Sequence, residues 1–177
     1  MTSLYDISIP VLTNIVKTTL SVLQKGEAWA KENNVKTSDL LARRIYEDMF
    51  PLTIQVIIVA NVSKKTIERL TGIPHPDIED FNKTLEELYA ILDQTLKELA
   101  AVRRTDVVEG RESVQVSCMF FGKEYKATAL EYVQGYAIPT VYFHLSTTYA
   151  ILRGQGVPIG KWDYQTEFFK AFKLVQN

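Results

Sequence analysis

A chain of 177 residues, 46% apolar and 23% charged, has the balance of a globular protein and the length to bury a sizeable core. Lys and Arg total 20 against 21 for Asp and Glu, so there is no basic surplus for nucleic acid and no acidic excess. A single cysteine, Cys118, excludes an intramolecular disulfide and suits a reducing, cytoplasmic setting.

The first helix is predicted from about Tyr5 to Asn33, on the spacing of Ile9, Leu12, Ile15, Val16, Thr19, Leu20 and Leu23. Pro10 is compatible only with the first turn, so regular helix is expected nearer Ser8. Thr37 opens a short helix that is expected to run on through Arg43 and Arg44 to Phe50, where Pro51 breaks it. The second long helix runs from Pro51 to about Leu70, and Gly72 ends it. The third runs from about Phe81 to Val102 with a Leu85, Leu88, Leu92, Leu96, Leu99 stripe.

The period then changes. Val114, Val116, Cys118 and Phe120 alternate with polar or exposed positions, Phe121-Gly122-Lys123 reads as a turn, and residues 124–127 return. This is a β-hairpin, expected to lie against the helices because a lone hairpin is marginal in water. The fourth long helix covers about Ala129 to Arg153, with Pro139 kinking or interrupting it. After Trp162 and Tyr164 a last amphipathic stretch carries Phe168, Phe169, Phe172 and Val175, and should pack on its own bundle or on a partner. Repeats, low-complexity segments and Gly/Ser linkers are absent, which favours one domain over residues 1–177. The expected architecture is mainly α: an antiparallel four-helix bundle with a small hairpin between helices three and four. The opening MTSLYDISIP lacks a secretory pattern and no apolar run is long enough for a membrane span, so neither membrane nor nucleic acid is an expected partner.

Three strings, SLYDISIPVL (Ser3 to Leu12), LLARRIYEDMFPLTIQV (Leu40 to Val56) and YFHLSTTYAILRGQGVPIGKWDY (Tyr142 to Tyr164), together resemble an uncharacterised bacterial and fungal family of the DinB/YfiT-like superfamily. The resemblance implies a DinB-like up-down bundle, often a dimer, so a homodimer is expected. It also implies a metal site in many members, built from a histidine on helix two and an HxxxH pair on the last helix. Carried over residue by residue, His144 stands as one such ligand. Thr148 occupies the partner position four residues on, and helix two has no histidine, only Gln55 as its early polar residue. Neither metal nor other cofactor is therefore expected.

His144 sits in a polar stripe with Thr140, Thr147 and Thr148 on an otherwise apolar helix. It suits acid–base or hydrogen-bonding work in a pocket, or a structural bond to a neighbouring helix. Gln55 and Asn61 are polar residues in the most apolar helix; they either meet His144 in the bundle or make solvent and backbone contacts. Tyr132, Tyr136, Tyr142, Phe143 and Tyr149 suit a cavity wall or ordinary core. The expected site is His144 as the candidate catalytic group, with Gln55, Asn61, Thr140, Thr148 and Tyr136 as ligand contacts. The leading functional reading is a small-molecule-binding protein or metal-independent enzyme with its pocket between helices two and four. A non-catalytic dimeric interaction protein and a divergent metal-dependent transferase or hydrolase are the alternatives.

Overall fold

In the computed structural model, residues 2–107, 110–120 and 122–173 are described; Phe121 of the expected turn and Val175 of the expected tail lie outside them. Helix α1 spans Ile9–Glu32 with Pro10 in its first turn, as the ring demands. Helix α2 spans only Thr37–Leu41. The expected continuation to Phe50 is instead an irregular loop closed by the Leu52 amide donating to the Arg43 carbonyl at 2.8 Å. The reason is burial: Leu40 and Leu41 enter the core, whereas residues 42–48 are exposed, Ile45 and Tyr46 included, so no buried face repays helix formation.

Helix α3 spans Leu52–Thr71 and ends on Gly72 in the left-handed conformation, φ 77°. Helix α4 spans Leu85–Ala101. It starts four residues later than the apolar pattern suggests because Thr84 and Glu87 form a capping box that sets the first turn. Strands β1 (Gln115–Phe120) and β2 (Lys123–Thr128) pair antiparallel with Cys118 opposite Tyr125. Helix α5 (Ala129–Tyr132) passes through a π-helical turn at residues 133–137 into α6 (Ile138–Gly154). Pro139, which cannot donate to the helix ladder, lies just beyond this wide turn, so the expected interruption takes the form of a π-turn. Helix α7 spans Lys161–Phe169.

The helix directions follow from their cross-contacts. Gly26 faces Leu152 and Trp29 lies against Gly156, so α1 and α6 run the same way. Tyr89 donates to Glu27 at 2.7 Å and Arg104 pairs with Asp6, so α4 runs antiparallel to α1. Gln55 meets His144 and Arg69 lies over the Tyr132 ring, so α3 runs antiparallel to the α5–α6 rod. The result is an up-down-down-up bundle of α1, α3, α4 and α6. It requires residues 72–84 to cross from the end of α3 to the start of the parallel α4. At about 3.3 Å per extended residue, that segment comfortably spans the roughly 30 Å length of a 20-residue helix.

Leu12, Ile15, Leu23, Leu52, Ile57, Leu88, Leu92, Leu145 and Leu152 are among the side chains fully buried between these helices. Helix α7 covers the α1–α6 side: Phe168 stacks on Tyr142 at 5.9 Å and Tyr164 shares a hydrogen bond with Ser146 at 3.0 Å. The hairpin lies against the bundle, held by Arg69 donating to the Ser117 carbonyl at 2.9 Å and Arg111 donating to the Arg69 carbonyl at 3.0 Å. Among the described residues no helix is long and apolar enough to cross a membrane.

Candidate functional site

Two of the expected site residues meet directly. The His144 Nδ1 lies 2.6 Å from the Gln55 Oε1, and the Gln55 Nε2 donates to the Phe50 carbonyl at 2.8 Å. Gln55 is only 1% exposed, in the first turns of α3, while His144 is half-buried on α6. The Phe143 ring and the imidazole meet in a T-shaped arrangement, with centroids 5.2 Å apart and planes at 89°. Removal from water, with no carboxylate bonded to the ring, pushes the His144 pKa down to about 4. The imidazole is therefore neutral at physiological pH, and its Nε2 makes no hydrogen bond within the described residues.

His144 stands between two clefts. The larger, about 520 Å³, runs between α3 and the α5–α6 rod and is bounded by the crossover and the hairpin. Asn61, Lys65 and Arg69 line it from one side, and Tyr132, Tyr136, Thr140 and His144 from the other, at strict four-residue steps that place them on one helix face. The smaller, about 230 Å³, is formed by Asp48, Met49, Phe50, Gln55, Phe143 and His144. A third groove, about 660 Å³, lies between α2, the crossover and the start of α4, near Thr37, Arg44, Phe81 and Glu86. None of the expected site residues lines it.

The charges of the larger cleft are largely neutralised in place. Lys65 pairs with Glu68 at 3.1 Å and sits 3.7 Å from Asp77. Arg69 pairs with Glu68 at 2.6 Å and lies over the Tyr132 ring at 5.9 Å. Its Nε is buried and has no partner among the described residues. Burial raises the Glu68 pKa, but the His75 amide, Lys65 and Arg69 outweigh it and hold the carboxyl below its usual range. Desolvation pushes the Tyr132 and Tyr136 hydroxyls up, so both are neutral phenols.

The other expected residues are placed differently from one another. Thr140 and Tyr136 line the larger cleft, and so does Asn61. The Asn61 amide, however, is occupied: it donates to the Ile78 carbonyl at 3.1 Å and accepts from the Ile78 amide at 2.9 Å, clamping the crossover onto α3. Thr148 is fully buried, lines neither cleft, and its hydroxyl has no partner among the described residues. The donor set does not fit the three-histidine site of the superfamily. Gln55 and His144 are bonded to each other rather than converging on a shared centre, Thr148 is sealed in the core, and no three His, Cys, Asp or Glu side chains cluster among the described residues.

Lys65, Arg69 and Asp77 are cleft residues that composition and motif reasoning pass over. On α3 the i, i+4, i+8 spacing of Asn61, Lys65 and Arg69 is the available signal; for Asp77, brought in by the crossover, no local signal exists.

The comparisons agree with this architecture. A family described as Domain of unknown function (DUF1993) matches residues 4–165. A solved structure of a DinB family member protein from Shewanella denitrificans superposes with a TM-score of 0.80, at 33% identity over 91% of this chain and 90% of that one. No curated protein matches the sequence.

Proposed function

Because this chain belongs to the DUF1993 family, with a DinB-like bundle, we propose that it binds a small organic molecule in the cleft between α3 and α6, in a mode that does not depend on a metal. The observation that carries this reading is a neutral, half-buried His144 held through one ring nitrogen by Gln55, with the other ring nitrogen unbonded among the described residues. A cleft of about 520 Å³ is of the size that takes a metabolite-sized ligand, and its tyrosines supply flat apolar walls with polar tips. If the protein is an enzyme, a neutral imidazole in this position serves proton transfer better than metal ligation in the superfamily manner. The test is a thermal-shift screen of small organic molecules on untagged, metal-analysed protein. Hits that stabilise the parent chain and lose their effect in His144→Gln support the reading. Stoichiometric zinc, nickel or iron that is lost in His144→Gln contradicts it.

A second reading, a dimeric interaction protein, is favoured by one observation. Trp162 and Phe169 of α7 and Phe172 just beyond it form a contiguous aromatic group, exposed by 64%, 41% and 70%. Light scattering tests it: Trp162→Ser with Phe172→Ser lowers the mass from dimer to monomer if this face joins two copies. An unchanged mass removes it as the interface.

A further inference from the structure

We infer that the Phe50 carbonyl, Gln55 and His144 form a relay that presets the imidazole as a hydrogen-bond acceptor, so that the group recognised there is a neutral hydroxyl or N–H donor, with Gln55 as the positioning residue. This rests on the cleft reading above and adds the chemistry of its ligand.

The relay has one consistent assignment. A backbone carbonyl only accepts, so the Gln55 atom 2.8 Å from the Phe50 oxygen is the amide nitrogen. The other amide atom, Oε1, then faces His144 at 2.6 Å and can only accept. The proton of that bond belongs to the imidazole, on Nδ1. A neutral ring protonated on Nδ1 carries a bare lone pair on Nε2. Flipping the Gln55 amide would set oxygen against oxygen at Phe50, so the backbone of the loop before α3 fixes the tautomer of a residue on α6. The ring borders both clefts: Met49, Phe50 and Phe143 are its apolar neighbours in the smaller, beside Asp48 and Gln55, and Ile58, Tyr132 and Tyr136 give apolar and aromatic walls in the larger. An aromatic alcohol matches both features. A carboxylate or phosphate at this position does not, because it offers lone pairs to a lone pair.

Full-length protein with ¹⁵N-labelled histidine, examined by NMR at neutral pH, tests this. Substitution His75→Gln identifies the His144 signals. The expected result is a neutral His144 ring protonated on Nδ1, moving toward the Nε2-protonated form in Gln55→Leu, with circular dichroism confirming that the variant is folded. Phenol and its methyl ether, anisole, then serve as probes of the same shape with and without a donor. Phenol should shift the His144 ring signals in a dose-dependent way, with anisole at least about fivefold weaker. An Nε2-protonated ring in the parent protein, or no change of tautomer in Gln55→Leu, overturns the relay. Equal response to the two probes overturns the donor preference while leaving the cleft as a binding site. No response at His144 to either probe overturns the ligand class together with the cleft reading beneath it.

Discussion

Replacing Gln55 by Leu keeps the volume of a side chain that is 1% exposed but removes both arms of the relay. Two groups lose their partners: the His144 Nδ1–H and the Phe50 carbonyl. Leaving a buried polar group unpaired costs about 1–3 kcal/mol. Phe50 is 56% exposed and His144 half-buried, so water partly restores both, and the net destabilisation should be about 2 kcal/mol. In a chain of this size that lowers Tm by about 4–8 °C. His144→Phe, which strands the Gln55 oxygen, should cost about 1–2 kcal/mol. Combined, the two changes should cost less than their sum by about 1 kcal/mol, because the second removes the group that the first left unpaired. Urea unfolding followed by far-ultraviolet circular dichroism gives all three values. Single effects below about 0.5 kcal/mol, or additivity within that margin, would refute a buried, mutually satisfied pair.

Three further outcomes follow from other parts of the fold. Since the His144 pKa falls from 6.5 in the unfolded chain to about 4 in the folded one, the unfolded state takes up the proton first as pH falls, and stability declines between those values. After allowance for partial exposure the loss should approach about 2 kcal/mol at pH 4 and be absent from the pH profile of His144→Gln; the same profile in parent and variant contradicts it. Gly26→Ala would place a Cβ 2.7 Å from a methyl of the fully buried Leu152, so overpacking of about 1–3 kcal/mol should exceed the roughly 1 kcal/mol gained in helix propensity. Leu152→Val should recover part of the loss in thermal melts. Thr84→Ala removes the capping box of α4 and should cost about 1 kcal/mol in the same assay.

Much of this architecture is legible in the sequence, for a physical reason. The long helices bury continuous stripes, so the 3.6-residue period in α1, α3 and α4 declares them, and the change to alternation at Val114 declares the hairpin. Helix ends were less legible where local chemistry competes with periodicity. Residues 42–50 carry helix-compatible side chains but no buried face, and Phe81 fits the apolar pattern although Thr84 sets the true start. The up-down-down-up order was not visible at all. It depends on a crossover held to α3 by long-range contacts, Asn61 on the Ile78 backbone, Glu68 on the His75 amide and Lys65 beside Asp77, that no local pattern announces. The site divides in the same way. The meeting of His144 with Gln55 was inferable from their helices, while the contribution of Phe50 to the tautomer is a backbone contact that no side-chain pattern encodes. Thr148 looks from its four-residue spacing like a neighbour of His144 in a pocket; the helix face carries it into the core instead.

We propose an organic molecule, not an ion, as the partner of His144. Crystals of untagged protein, grown without chelator and soaked with a stabilising compound from the screen, test it most directly. The expected result is planar or extended density between α3 and α6, with a donor atom within hydrogen-bond distance of the His144 Nε2 and the Gln55 contact intact. A compact peak on Nε2 with the anomalous signal of a transition metal, and the Gln55 amide turned toward it, would instead make His144 a metal ligand.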